Sequence, residues 1–272
     1  MEEIMSESLV LYEKKGPVAL VTINRPEKMN TYNGEVCLLL GDAFLDFRDD
    51  PDLYVAILTG TGDRAFCAGA DMRGMVPPKE GETAPIPFPR GRMFHEGDIK
   101  IYKPIIAAIN GYCLSGGLCH ALQCDLRIAA EHATFGLQQV RFGAHSPSST
   151  HLLARNIGMS NAMYLSLTGS RIDAQEALRM GIIHKIVPLK DLMPAAMEMA
   201  ETLMGNCPSH LRARKEHLLR GYNLPYDEAR AMGGYLEDQV PEEEKREGIS
   251  AFFEKRKPDW SKVRQEKRGP ST

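Results

Sequence analysis

The residues most able to do chemistry lie in a glycine-containing turn at residues 110–118, which joins an apolar run to a helical pattern. Gly116 and Gly117 let the backbone approach a bound group closely, because neither residue has a side chain. The free amides at the start of a helix add positive potential at the same point. The turn therefore predicts a site in which backbone N–H groups hold an anionic oxygen.

The elements around this turn follow from the periodicity of the apolar residues. Asn33 can cap a helix that extends to about Phe47, because the apolar residues between them fall on one face. Strand-like runs occur at residues 18–23, 54–58, 105–109, 126–129 and 185–187. Strands that alternate with helices in this way predict an α/β fold with a mostly parallel sheet.

Strand patterns nearly disappear beyond about residue 148. Helical patterns replace them at residues 150–157, 161–167, 174–180, 192–204, 209–219, 226–236 and 242–255. We therefore expect a core at residues 1–200 and a helical region at residues 201–272. The proline-rich stretch 75–92 predicts a loop of the kind that closes over a site, and the basic segment 262–272 predicts a solvated end.

The composition favours an ordinary globular protein that binds a small molecule. The chain has 272 residues, of which 43% are hydrophobic and 25% charged, and its net charge of −3 provides no basic field for nucleic acid. No apolar run is long enough for a membrane span, and the first residues lack the basic start of a secretory signal. We expect a cytoplasmic protein with no nucleic acid or membrane partner.

The cysteines and histidines do not indicate a metal centre. None of the 6 cysteines forms a C-x-x-C pair, which is typical of free thiols in a reducing compartment. No His-Glu-x-x-His or similar ligand spacing occurs, so no metal is expected.

A second turn, at residues 60–72, follows the strand-like run at 54–58. Its sequence is Gly-Thr-Gly-Asp-Arg-Ala-Phe-Cys-Ala-Gly-Ala-Asp-Met. Together with the turn at 110–118, it resembles the crotonase family, also called the enoyl-CoA hydratase/isomerase superfamily. Further matches follow in family order over about residues 18–258: Asn24-Arg25-Pro26, Lys103-Pro104, Cys124-Asp125, Thr134-Phe135-Gly136, Leu167-Thr168-Gly169, Ala174–Ala177 with Gly181, and the segment from Glu247-Gly248 to Pro258.

The resemblance implies a fold, a substrate and an assembly. The fold is a crotonase-like ββα-spiral core with a helical C-terminal trimerisation region, and the assembly is a homotrimer or a dimer of trimers. The substrate is an acyl-CoA thioester, so coenzyme A enters as part of the substrate and no tightly bound cofactor is implied. The backbone N–H groups of Ala70 and Gly116 stabilise the enolate or oxyanion that forms at the thioester carbonyl.

The resemblance also implies residues that bind coenzyme A. Those along the nucleotide end are Arg25, Lys28 and Met29, with the backbone of Ala68 at the adenine. Asp71 and Gly117, which follow Ala70 and Gly116, are also among the residues implied to bind the substrate. Asp71 is interpreted mainly as a residue that holds its turn in place. The resemblance further implies that Phe252 and Lys255 approach the nucleotide from a neighbouring subunit, although Lys255 taken alone fits a solvated helix face.

This chain departs from the family at the two glutamates that hydratases use. Counting from Gly116 puts the first glutamate position at Cys119, and counting from Phe135-Gly136 puts the second at Gln139. Glutamine cannot transfer a proton near neutral pH, and an unactivated thiol is a poor substitute for a carboxylate. Non-hydratase chemistry is therefore favoured: decarboxylation, cleavage of a carbon–carbon bond, thioester hydrolysis or isomerisation.

Other residues could supply the proton transfer. His145 is the leading candidate, since an imidazole titrates at about pH 6.5 in water; alternatively it anchors its loop through a carbonyl. Cys119 could be a nucleophile near the helix start or a small packing residue. Glu96 could reach the pocket or lie on a solvated turn.

Three hypotheses remain. The first is an acyl-CoA lyase, isomerase or hydrolase built on the two amides, in which His145 shapes the proton step and Cys119 and Gln139 are further candidates for it. The second is a divergent hydratase whose loop at 75–92 brings in a replacement carboxylate. The third is an acyl-CoA-binding protein without catalysis.

Overall fold

The computed structural model describes residues 8–75 and 86–260. These residues form two compact units. The first unit comprises the described residues up to 101 together with 105–198, and the second comprises 102–104 and 199–260.

A six-stranded sheet forms the centre of the first unit. Its strands are β1 (Val10–Lys15), β2 (Val18–Ile23), β3 (Val55–Gly60), β5 (Ile105–Ile109), β7 (Leu126–Ala130) and β10 (Lys185–Val187), hydrogen-bonded in that order. Only β1, which is antiparallel to β2, breaks the parallel arrangement. Every residue of β3 and β5 is buried, because parallel strands in such a core are covered on both faces.

A second sheet of four short strands lies in the same unit. It contains β4 (Ala65–Cys67), β6 (Tyr112–Leu114), β8 (Thr134–Gly136) and β9 (Arg171–Asp173), in that order. β4, β6 and β8 are parallel, and each follows a long strand of the first sheet. The chain thus repeats a long strand, a short strand and then a helix or loop, as expected for a ββα-spiral core.

The first helix of this unit begins at a side-chain cap that the sequence predicts. Helix α1 (Gly34–Asp49) starts after Asn33, whose side-chain oxygen accepts the Val36 N–H at 3.0 Å. The others are α2 (Gly116–Gln123), α3 (Pro147–Thr168) and α4 (Ala174–Met180). Helix α5 (Leu192–Met204) begins in the first unit and ends in the second.

The second unit is helical. It contains α6 (Pro208–Gly221), α7 (Tyr226–Asp238) and α8 (Glu242–Phe253). The buried carboxylate of Glu244 accepts hydrogen bonds from the Ser209 N–H and hydroxyl, both at 3.0 Å. These contacts fix the start of α6 against α8, while several large apolar side chains of this unit remain exposed.

The expected α/β architecture is confirmed, but some details differ. The two helices expected at 150–157 and 161–167 form the single helix α3, which is kinked at Gly158. The apolar run at 105–109 does not pass directly into a helix, because β6 intervenes. Of the loop expected at 75–92, residues 76–85 lie outside the described residues, as does the basic segment 262–272.

Two buried asparagines hold the turn after β3. Asn110 donates to the carbonyls of Gly60 (2.8 Å) and Gly62 (2.7 Å) and accepts the Gly60 N–H at 3.3 Å. Asn30 donates to the carbonyls of Thr61 (3.0 Å) and Ala65 (2.6 Å). Both side chains satisfy backbone groups that would otherwise be buried without a partner, and so fix the approach to β4.

We expect Asn110→Ala to lower the free energy of unfolding by about 2–4 kcal/mol, because two carbonyls and one N–H lose their partner. Urea denaturation measures this change. The exposed Asn223 provides the control, since Asn223→Ala is expected to change stability by less than about 0.5 kcal/mol. Equal effects of the two substitutions would contradict the role given to Asn110.

Candidate active site

The two turns singled out in the sequence are in direct contact. The first part of each forms a short strand, β4 or β6, and because these neighbouring strands are parallel, the residues that follow them leave the same edge of the second sheet. A Cβ atom added to Gly69, whose φ is +109°, would lie 3.6 Å from the Gly116 nitrogen and 3.2 Å from the Ser115 Cβ. The backbone before Ala70 therefore adjoins the start of α2.

The Ala70 amide is left free by its pairing with Tyr32. The Tyr32 N–H donates to the Gly69 carbonyl at 3.0 Å, and the Asp71 N–H donates to the Tyr32 carbonyl at 2.8 Å. In a parallel bridge of this kind the N–H of the central residue, Ala70, points away from the partner. Within residues 8–75 and 86–260, the Ala70 N–H donates no hydrogen bond.

The Gly116 amide is the first of helix α2. Ser115 precedes it with φ +54°, an uncommon conformation for a residue with a side chain, and its own N–H donates to the Gly136 carbonyl at 2.8 Å. The Gly116 N–H has no acceptor in the described part of the chain, as expected for the first turn of a helix. Both amides predicted to bind an oxyanion are thus available as donors.

The glycines at the start of α2 permit close approach. A Cβ atom on Gly117 would lie 1.9 Å from the Cys67 carbonyl oxygen, and one on Gly116 would lie 2.0 Å from the Tyr32 hydroxyl. A side chain at position 117 would force the two turns apart, whereas one at position 116 would require the Tyr32 side chain to move. The Tyr32 hydroxyl, which the sequence did not single out, therefore lies next to Gly116.

The residues predicted to bind coenzyme A lie around the turn at residues 60–72. The Ala68 N–H donates to the Met29 carbonyl at 3.1 Å, and Lys28 is exposed at the end of the 3₁₀ helix Pro26–Lys28. The Arg25 side chain is 4% exposed; its guanidinium donates to the Thr31 carbonyl at 2.6 Å and to Asp71 at 3.1 Å. Arg25 thus has internal partners, and its contact with a phosphate stays a prediction.

Asp71 forms a buried ion pair that ties the turn to Arg25. Burial alone would raise the pKa of the carboxyl, but hydrogen bonds from Arg25 and from the Arg73 N–H, together with both positive charges, outweigh it and lower the pKa. The carboxylate is therefore held in its charged form.

Phe252 and Lys255 belong to the second unit. Phe252, in the last turn of α8, is 78% exposed to solvent. Lys255 follows α8 with φ +54° and is also exposed. The contact with a neighbouring subunit that the resemblance implies for them stays a prediction.

Cys119, which the resemblance places at the first hydratase glutamate, is buried. Its thiol donates to the His95 carbonyl at 2.8 Å. Burial raises the pKa of the thiol to about 12. A thiol in this environment remains protonated at neutral pH, which favours packing over nucleophilic attack.

Gln139 and His145 lie on the segment before α3. Gln139 starts the 3₁₀ helix Gln139–Phe142, and its buried side-chain oxygen has no hydrogen-bond partner among the described residues. His145 is exposed two residues before α3. The described contacts do not bring His145 to the two amides, so its role as acid or base stays a prediction.

A cluster of rings lies beneath Gly116. The Tyr32 ring is 4.6 Å from that of His95 and 5.1 Å from that of His120, and the two imidazoles are 4.5 Å apart. Burial lowers the pKa of His95 to about 4 and that of His120 well below its usual range. Both imidazoles are neutral at physiological pH. Because aromatic contacts form it, the cluster left no spacing signal in the sequence.

The carboxylate of Glu96 lies beside this cluster, 3.6 Å from His95 Nε2. Glu96 follows His95 in the 3₁₀ helix Phe94–Glu96, and the Ser148 hydroxyl donates a hydrogen bond to its Oε2 atom. The side chain is 27% exposed, which is intermediate between the buried His95 and a solvated residue. Within the described residues, no group of three or more His, Cys, Asp or Glu could hold a metal ion.

Comparison with known proteins identifies the family. A model of the enoyl-CoA hydratase/isomerase family matches residues 13–264. The chain belongs to this family. It is 39% identical over 254 residues to an (E)-benzylidenesuccinyl-CoA hydratase of Thauera aromatica, covering 92% of this chain and 97% of the relative. It is 36% identical over 263 residues to a carnitinyl-CoA dehydratase of Salmonella paratyphi A, covering 94% and 99%.

The solved structures agree. An enoyl-CoA hydratase from Bacillus anthracis matches with a TM-score of 0.83 and 32% identity, covering 93% of this chain and 99% of that one. The crotonase-like fold and membership of this enzyme family are therefore shown. No described helix is long and apolar enough to cross a membrane.

The Cys119 thiol is expected to resist alkylation in the folded protein. With a pKa of about 12, roughly one thiol in ten thousand is ionised at pH 8. Iodoacetamide at that pH, followed by tandem mass spectrometry, should label Cys119 at least about 100-fold more slowly in native protein than in urea. Equal labelling rates would support a reactive thiolate.

The Arg25–Asp71 pair is expected to make stability depend on acid. Because the pKa of Asp71 is lowered on folding, its contribution is full above the unfolded pKa of about 3.9 and is lost as pH falls through the lower folded value. Wild type and Asp71→Asn should therefore differ in urea midpoint at pH 7 and converge towards pH 2. The exposed Asp63→Asn is the control; a difference for Asp71→Asn that is independent of pH would contradict the pairing.

Proposed function

We propose that this chain adds water across the α,β double bond of an acyl-CoA thioester, or removes water in the reverse direction. The enolate that forms in either direction is stabilised by the N–H groups of Ala70 and Gly116. The family supports an enzyme that processes acyl-CoA, and the relatives named above are a hydratase and a dehydratase of CoA thioesters.

The single observation that carries the proposal is the pair of free amides on adjacent turns. Neither N–H donates within the described residues, and the start of α2 lies against the backbone that leads to Ala70. A thioester carbonyl oxygen gains negative charge in the enolate, and preorganised donors stabilise that charge more than they stabilise the ground state. Loss of one such donor typically costs about 3–4 kcal/mol of transition-state stabilisation.

The surroundings strengthen the two donors. The aromatic and imidazole rings of Tyr32, His95 and His120 are buried and uncharged around Gly116. Few mobile charges or waters can compete for the amides in such a place, and electrostatic interactions are stronger there than in water. The site is therefore suited to an oxygen that becomes anionic during the reaction.

A second candidate function rests on Cys119 and Gln139. Neither can replace a glutamate in proton transfer, which favours decarboxylation, carbon–carbon cleavage, thioester hydrolysis or isomerisation on the same pair of amides. A binding protein without catalysis is the third alternative. Against it, acyl-CoA binding alone does not require that two amides on adjacent turns be left without an acceptor.

Coenzyme A is proposed as the carrier part of the substrate, with no separate cofactor. Lys28 is exposed next to Met29, whose carbonyl contacts the turn at residues 60–72. A cation there can contact a phosphate. A homotrimer or dimer of trimers, in which Phe252 and Lys255 reach a neighbouring nucleotide, belongs to the same proposal.

Substitution of Gly116 tests the role of its amide. Gly116→Ala and Gly116→Pro both add a Cβ atom against Tyr32, but only proline removes the N–H, and proline is tolerated in the first turn of a helix. We expect kcat/KM for hydration of crotonyl-CoA to be at least about 100-fold lower in Gly116→Pro than in Gly116→Ala. Absorbance of the enoyl thioester follows the reaction, and circular dichroism checks folding.

The same assay decides among the alternatives. A panel of crotonyl-, 3-enoyl-, methylmalonyl- and β-keto-acyl-CoA is given to the wild type. Decarboxylation or cleavage without hydration would favour the second candidate, and tight CoA binding without turnover would favour the binding protein. Equal activity of the alanine and proline variants would refute the oxyanion role of Gly116.

A further inference from the structure

We propose that Glu96 is the acid/base residue that moves the proton in this site, and that Ser148 is the residue that positions its carboxylate. The inference rests on the proposed hydration. It gives a proton-transfer group to a chain whose residues at both hydratase glutamate positions, Cys119 and Gln139, cannot serve.

The backbone that carries Glu96 is fixed by ring packing. Phe94 stacks on Phe44 of α1 at a centroid distance of 3.8 Å and lies parallel to the ring of His120 at 6.1 Å. Phe94 is therefore clamped between α1 and α2. Such an anchor gives the next two residues a defined position instead of a mobile, solvated turn.

Hydrogen bonds tie the same turn to α2. The His95 carbonyl accepts from the Cys119 thiol at 2.8 Å and from the Gln123 side-chain amide at 3.3 Å. Cys119 lies three residues after Gly116, on the first turn of the helix whose N–H is the proposed oxyanion donor. The turn that carries Glu96 is thus held against the helix beside Cys119, the residue that the family resemblance places at a glutamate position.

The contacts of the Glu96 carboxylate are with residues of α3 and of the ring cluster. The Ser148 hydroxyl, from the first turn of α3, donates to Oε2, and His95 Nε2 lies 3.6 Å from Oε1. Tyr32 packs on the same His95 ring at 4.6 Å and lies against Gly116. His95 and Tyr32 therefore connect the Glu96 carboxylate to the start of α2.

Glu96 is also free of competing cations. Within the described residues, Glu96 forms no ion pair with Lys or Arg. The neighbouring imidazole of His95 is neutral, because burial lowers the pKa of His95 to about 4. Asp71, by contrast, is paired with Arg25, and Asp98 is exposed and accepts the Met93 N–H at 3.0 Å. A partly exposed, unpaired carboxylate can exchange protons with a substrate, whereas a paired one is held as a charge.

The proposed step uses one carboxylate twice. Glu96 accepts a proton from water while the water oxygen bonds to the β-carbon, and the electron pair of the double bond moves to the thioester as an enolate held by Ala70 and Gly116. The protonated Glu96 then gives a proton to the α-carbon and the enolate collapses to the thioester. One water has been added across the double bond, the carboxylate is regenerated, and no other reactant is needed.

Three variants test this assignment. Glu96→Gln keeps the size of the side chain and a hydrogen-bond acceptor for Ser148 but cannot carry a proton. We expect it to lower kcat for hydration by about 100- to 10,000-fold, with the Kd for the CoA thioester, measured by calorimetry, changed by less than about 3-fold. Asp98→Asn is the matched control, since it removes a carboxylate two residues away and retains an acceptor for the Met93 N–H; its kcat should equal that of the wild type.

The role of Ser148 has its own readout. Ser148→Ala removes a donor to Glu96 and is expected to lower kcat by about 5- to 30-fold. If Ser148 acts through Glu96, the double variant Ser148→Ala/Glu96→Gln will be no slower than Glu96→Gln alone. Additive losses would overturn the positioning role.

A second measurement separates this inference from the proposed function. Exchange of the α-proton of a saturated acyl-CoA in D₂O, followed by NMR, requires the base but not the addition of water. Wild-type exchange that Glu96→Gln abolishes supports the assignment. Hydration and exchange retained at near wild-type rates in Glu96→Gln would overturn the role of Glu96 and leave the hydratase proposal standing, whereas a wild type that hydrates no enoyl-CoA would overturn the hydratase proposal itself.

Discussion

The contact between the start of α2 and the backbone after β4 is the constraint on which the site depends. Gly117 lies so close to the Cys67 carbonyl that no side chain fits between them, and Gly116 is equally close to the Tyr32 hydroxyl. This approach brings two amides, each left unpaired for a different reason, to the same edge of the second sheet. One amide is free because it starts a helix, and the other because its neighbours complete a parallel bridge to Tyr32.

The charges around this contact are divided between two regions. At the turn after β4, Asp71 pairs with the buried Arg25 and lies 3.5 Å from the exposed Arg73, and these contacts fix the backbone of the turn. Under Gly116, the buried imidazoles of His95 and His120 are neutral, because burial disfavours their charged form. Charge that develops on a bound oxygen would therefore meet two free N–H groups and no charged imidazole, which is a condition in which such donors act strongly.

Much of this arrangement could be predicted from the sequence, but not all of it. The long strands, the Asn33 cap and the glycines of both turns left local signals, since periodicity and turn chemistry act over a few residues. Strands β4, β6 and β8 did not, because three residues are too few to show an alternating pattern. The position of Glu96 could not be predicted either, since it depends on Phe94 packing between residues more than 20 positions away in the chain, Phe44 and His120.

The departures at Cys119 and Gln139 take on a different meaning once Glu96 is placed. A hydratase needs a proton donor and acceptor beside the enolate, but physical chemistry does not require that it come from α2 or from the segment after β8. Cys119 links its helix to the His95 carbonyl and so fixes the backbone that carries Glu96. On this proposal, the residue that the resemblance places at a glutamate position supports the carboxylate of Glu96 instead of transferring the proton itself.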